Sequence, residues 1–214
     1  MNRRQLLLYS LGLLATGAQP VSASTSTFWD QPRRLWLKRE VRRGVWEEVN
    51  EIYHQNGRLQ WSGYERVCRI LRDVHTGAAV QMSHTLLDIM RGIQGWFEMS
   101  GYHLPIIVTS GYRSEKTNED AGGVRDSAHL RGGACDLYVE GVPVEYLKDL
   151  ALYLQGGGVG VYPASGPAGK PGGFIHVDDG NLRSWRGDVK RGNAKTKARP
   201  TGGLAATTSK HVRP

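Results

Sequence analysis

Two histidines and an aspartate in this chain are spaced to share one zinc ion. His129 and Asp136 lie in Ser127-Ala128-His129-Leu130-Arg131-Gly132-Gly133-Ala134-Cys135-Asp136, and His176 follows in Gly173-Phe174-Ile175-His176-Val177-Asp178. Imidazole nitrogens and carboxylate oxygens are ordinary zinc ligands, and three protein ligands leave a fourth position open, as in a catalytic rather than a structural site. Alone, each residue has a plainer explanation: a buried histidine is usually a hydrogen-bonded core residue, and a single aspartate can be a turn or cap. Gly132 and Gly133 let the chain turn between the first two ligands. His176 sits on an apolar run, where alternate residues share a face, so Asp178 is expected to point the same way and Asp179 the other.

That pattern suggests hydrolysis. Zinc lowers the pKa of a bound water to about 7. Asp178 is expected to hydrogen-bond that water, take its proton and pass it to a leaving amine. Arg113, in Ser110-Gly111-Tyr112-Arg113-Ser114, is the candidate to stabilise the oxyanion. Ser127 could orient a ligand or a loop amide, or simply form a turn.

The elements that must position these residues read as α+β. Residues 28–60 carry strand signals, with Asn56-Gly57 as a hairpin turn. Helical spacing follows over 63–73. A longer helix over 83–97 has Ser83 as N-cap and Leu86, Leu87, Met90, Ile93, Trp96 and Phe97 in its apolar stripe. Residues 104–109 read as a buried strand, 110–126 as a polar loop, and 134–139 as the strand carrying Asp136. Pro143 opens a helix to about residue 155. The last two strands span 159–162 and 173–177, separated by a Pro- and Gly-rich loop. The expectation is a small single α+β domain, with an antiparallel sheet carrying the zinc site and helices flanking it.

The ends of the chain say where it works. Residues 1–23 combine Arg3-Arg4, a short apolar run and Val21-Ser22-Ala23, the pattern of an export signal, and the paired arginines suggest the twin-arginine route. The run is too short to span a membrane. The expected location is the periplasm. The net charge of +8 is concentrated at the far end: residues 183–214 hold nine basic residues and one acid, whereas 24–182 hold 17 basic and 19 acidic. Residues 187–214 therefore read as a basic disordered tail that could touch an anionic surface, and 24–186 as the peptidase domain. No recognition helix, zinc-finger spacing or basic-aromatic platform accompanies the charge, so nucleic acid is not an expected partner. Cys68 and Cys135 could pair in an oxidising compartment, or be buried small residues.

Ser127-x-His129-x-x-Gly132-x-Ala134-x-Asp136, preceded by Ser110-Gly111-Tyr112-Arg113 and followed by His176, resembles the zinc D-alanyl-D-alanine peptidases, a group that includes lysostaphin-type enzymes and the hedgehog amino-terminal domain. The ending Phe174-Ile175-His176-Val177-Asp178-x-Gly180-x-x-Arg183-x-Trp185 is most similar to the murein endopeptidase K branch. The resemblance covers roughly residues 80–186. It implies a small α+β zinc fold, one zinc ion on His129, Asp136 and His176, Arg113 at the substrate or oxyanion, and cleavage of peptide cross-links between peptidoglycan stem peptides. Trp185 is a candidate cleft wall or a core aromatic. In one respect the chain departs from the group: many of its dipeptidases carry a catalytic glutamate three residues before the second histidine, where this chain has Gly173. The competing expectations are a D-alanyl carboxypeptidase or dipeptidase, and a zinc-containing module that binds wall peptide without cutting it.

Overall fold

A computed structural model of the chain describes residues 27–163 and 173–187. The expected export signal (1–23), most of the loop before the last ligand, and the basic tail beyond 187 lie outside these residues. In chain order the elements are β1 (Arg33–Arg42), β2 (Val45–Gln55), β3 (Arg58–Leu59), α1 (Trp61–Ile70), α2 (His84–Met99), β4 (Ile106–Ser110), α3 (Glu115–Asp120), β5 (Ala134–Tyr138), α4 (Val144–Leu154), β6 (Gly158–Tyr162), β7 (Phe174–Asp178) and β8 (Arg183–Arg186).

The strands form one sheet in the order β3-β2-β1-β4-β5-β7-β6-β8. The central run β4-β5-β7-β6 is antiparallel, as expected for the strands that carry the site. The sheet as a whole is mixed, because β1 pairs with β4 and β6 with β8 in parallel. Helices α1, α2 and α4 cover one face. Strand alternation sends Cys135 and Leu137 of β5, and Ile175 and Val177 of β7, into that core, and leaves Asp136, His176 and Asp178 on the opposite face.

Helix α2 anchors the core. Ser83 caps it by accepting from the Leu86 N–H, and Leu86, Leu87, Met90 and Ile93 are fully buried along one stripe. Truncating any one of them to alanine costs about 2–5 kcal/mol. Buried Gln94 ties the helix to the sheet, donating to the Trp36 and Leu104 carbonyls and accepting from the Trp36 N–H.

Two segments differ from the sequence expectation. The polar loop over 110–126 contains α3, which lacks an apolar stripe. It is held by its caps: Ser114 accepts from Thr117 N–H and donates to buried Asp73 at 2.7 Å. Residues 183–186 form an edge strand, β8, where no strand was expected; its period-2 signal is confined to four mostly exposed residues. Cys68 and Cys135 are both buried free thiols, so the bridge is not formed.

Candidate metal centre

Register brings the ligands together. Asp136 on β5 stands directly opposite His176 on β7. His129 reaches the same point from a 3-10 turn (Ala128–Arg131) just before β5. Ser127 caps that turn, its hydroxyl accepting from the His129 N–H, and Gly132 closes it at φ 71°, a left-handed conformation that favours glycine. The His129 backbone is also pinned through its carbonyl, which accepts from the Arg113 N–H at 3.2 Å.

Three ligand atoms then face one another: His129 Nε2 and His176 Nδ1 at 3.2 Å, His129 Nε2 and Asp136 Oδ1 at 3.2 Å, and His176 Nδ1 and Asp136 Oδ1 at 2.8 Å. The far side of each ring fixes its proton. His129 Nδ1 lies 2.6 Å from the Gly111 carbonyl, and His176 Nε2 lies 3.1 Å from Asp178 Oδ2. Both partners can only accept, so in the neutral rings those nitrogens carry the hydrogens and the inward nitrogens are bare lone pairs. Two imidazole lone pairs and a carboxylate oxygen aimed at one point need a shared cation. Tetrahedral zinc with ligands at 2.0–2.1 Å would separate them by about 3.3 Å, close to the spacing present. The donor set fits zinc, and it is the one such cluster among the described residues.

The outer contacts are equally built. Arg113 donates through Nε to Ser110 Oγ at 2.7 Å and through Nη2 to Asp136 Oδ2, so it holds one carboxylate oxygen while the other faces the histidines. The approach of the 111–113 loop depends on Gly111, where a Cβ would collide with the Leu71 carbonyl. Asp178 is almost wholly buried. Besides His176 it accepts from the Gly158 and Gly180 N–H groups and from both Nη atoms of Arg183.

Charge follows from these contacts. Burial opposes ionisation of Asp136, yet the adjoining histidines hold its carboxyl well below the usual carboxylate range. Asp178 behaves alike, with His176, Gly180 and Arg183 outweighing its burial. Burial works against a charged His176, but Asp136 and Asp178 together raise its pKa.

The ligands open onto a cleft of about 700 Å³. Tyr162 and Phe174 form one wall with stacked rings 4.7 Å apart, and Trp185 joins it, its indole donating to Tyr162 Oη at 3.0 Å and its ring lying 5.3 Å from that of His176. Asp126 also lines the cleft, and its carboxylate has no partner among the described residues.

All six residues expected at the site from the sequence (His129, Asp136, His176, Ser127, Arg113 and Asp178) therefore meet here, but two are engaged differently from the expectation. Asp178 shares the face of His176, as alternation required, yet its oxygens are occupied by the back of the imidazole, by Arg183 and by backbone amides. A carboxylate bound in this way is placed to orient the ring of His176. Arg113 lines the cleft but is bound to Asp136. Sequence reading missed the Gly111 carbonyl, the Arg183 partner of Asp178 and the Tyr162–Phe174 wall. Of these only Arg183 carried a signal, the Asp178-to-Arg183 spacing of the resemblance.

The model of the family described as peptidoglycan L,D-endopeptidase MepK matches residues 30–185. Proteins named peptidoglycan L,D-endopeptidase MepK from Escherichia coli (strain K12) and Shigella flexneri are each 31% identical over 192 residues, spanning 86% of this chain and 97% of the relative. A relative from Haemophilus influenzae is 29% identical over 192 residues, spanning 87% of this chain and 96% of its own length.

Proposed function

This chain belongs to the peptidoglycan L,D-endopeptidase MepK family, and on that premise we propose that it is a zinc metallopeptidase that hydrolyses peptide cross-links of peptidoglycan. The observation that carries the reading is the convergence of His129 Nε2, Asp136 Oδ1 and His176 Nδ1, each ring with its outer nitrogen bound to an acceptor. A zinc ion held by these three residues would supply Lewis acidity toward the scissile carbonyl and an activated water at neutral pH.

The chain's own residues do the rest. The Gly111 carbonyl and Asp178 accept at the outer nitrogens of His129 and His176, so that in the neutral rings the inner nitrogens point inward as lone pairs. Arg113 fixes the rotamer of Asp136 and, from the cleft wall, offers positive charge to the developing oxyanion. With Asp178 committed and glycine at position 173, Asp126 is the carboxylate in the cleft wall left to accept a proton from the attacking water and return it to the leaving amine. The Tyr162, Phe174 and Trp185 rings form a rigid side against which a stem peptide can lie.

Such a substrate lies outside the cytoplasm. Export through the twin-arginine-like segment 1–23 and a basic tail beyond 187 that meets an anionic surface belong to this proposal. None of the described helices is long and apolar enough to cross a membrane.

The test is mass spectrometry of purified cross-linked muropeptides incubated with the protein, with and without a zinc chelator. Chelator-sensitive conversion of dimers to monomers is expected. Loss of a terminal alanine alone would instead identify a carboxypeptidase, and no cleavage by a protein holding stoichiometric zinc would identify a binding module.

A further inference from the structure

A second cavity, of about 520 Å³, adjoins the metal cleft, with Arg113 and Ala121 in the walls of both. It lies between the turn at residues 73–76 and helix α3. Its cations and anions are unequally committed. Asp73 accepts from the His75, Thr76 and Ser114 N–H groups and from the Ser114 hydroxyl, and Asp120 is paired with Lys116 at 3.1 Å. Neither carboxylate needs a further donor.

Arg39 is the opposite case. It is 3% exposed and forms part of the cavity wall. Its Nη1 donates to the Ile70 and Arg72 carbonyls at 3.0 and 2.5 Å, no carboxylate of the described residues lies within ion-pair distance, and its buried Nε has no partner among them. Burial depresses its pKa, and the nearby negative charges of Asp73 and Glu47 offset this only in part. A buried guanidinium with unused donors is costly to maintain, and an anion brought beside it relieves that cost. His75, in the same wall, has an exposed ring with no partner among the described residues, and exposed Lys116, which shares its charge with Asp120, also lines the cavity.

We propose that this cavity is a substrate subsite that binds a free carboxylate of the stem peptide while the amide to be cut lies at the metal. Arg113 links the two places, since its guanidinium holds Asp136 and the residue lines both cavities. The inference rests on the peptidoglycan reading for the identity of the ligand. Stem peptides carry free carboxylates along their length, so a chain lying in the metal cleft can direct one past Arg113.

The experiment compares stem-peptide monomers and cross-linked dimers in which that carboxyl is free or converted to the amide. Binding of the monomers is measured by calorimetry and cleavage of the dimers by mass spectrometry. One charge-assisted hydrogen bond corresponds to about a tenfold preference of the protein for the acid over the amide. The preference should fall to about twofold or less in Arg39→Met and in the double variant His75→Ala/Lys116→Gln; the second pair is exposed, so it tests the cavity even if Arg39→Met fails to fold. Equal binding of acid and amide by the unaltered protein, or an undiminished preference in a folded double variant, would overturn the subsite. If neither dimer is cut while the monomers still show the preference, the peptidase reading fails and the carboxylate site stands.

Discussion

Replacing Asp178 by asparagine separates a ligand-orienting carboxylate from a catalytic base. In the structure Oδ1 accepts from the Gly158 and Gly180 N–H groups and from Arg183 Nη1, while Oδ2 accepts from His176 Nε2 and Arg183 Nη2. An asparagine keeps one oxygen, best placed at the three-donor side, and so turns its NH2 toward two N–H donors. The His176 ring must then rotate, or move its proton to Nδ1 and lose the ligand lone pair. The lost interaction is a hydrogen bond to a charged group, about 1.5–3 kcal/mol, or roughly 10- to 100-fold in zinc affinity. Competition against a chromophoric chelator reads that affinity directly, with a thermal melt to establish folding. At saturating zinc, turnover should recover to within about tenfold of the unaltered enzyme, whereas loss of a general base removes about 10²–10⁴. Zinc affinity within threefold of the unaltered protein, combined with a thousandfold loss of turnover at saturating zinc, would refute the positioning role and return Asp178 to the water.

His176→Ala should abolish stoichiometric zinc together with cleavage, since it removes one of three ligands; full zinc content by mass spectrometry would show that a ligand has been misassigned. Gly111→Ala should drive the loop off the Leu71 carbonyl and move the acceptor of His129 Nδ1, lowering zinc affinity by about 10-fold or more in the same titration. Asp73→Asn tests a buried carboxylate away from the metal ligands. Burial would raise its pKa, but hydrogen bonds from Ser114 and His75 hold it well below the usual range. Its stabilisation is therefore present above the unfolded pKa of about 4 and disappears as pH falls through the lower folded value. The substitution should cost about 2 kcal/mol at pH 7, or roughly 4–8 °C in melting temperature, and the gap between the two melting curves should narrow below pH 4.

The local chemistry of this protein was legible in its residues because it is written in short range. Ser83 and the stripe from Leu86 to Ile93 specify α2 within one segment. Alternation along β7 puts Ile175 and Val177 on one face and His176 and Asp178 on the other, whatever the rest of the chain does. The ligand types and the turn at Gly132 are likewise properties of a few neighbouring residues. What those side chains touch was decided by contacts across the fold. Asp178 shares a face with His176 by sequence, but whether it meets a water or the back of the ring depends on Arg183 and on the Gly158 amide of a neighbouring strand. Arg113 reads as a free cation until the pairing of β4 with β5 brings Asp136 beside it. Helix α3 has no apolar periodicity to announce it, and its N-cap Ser114 is held by Asp73, forty-one residues earlier. The buried Arg39 at the second cavity lies on a strand whose sequence reads only as alternation. Periodicity and residue type fix which face a side chain takes. Its partner on that face is set by strand order and register, which depend on residues far apart in the chain.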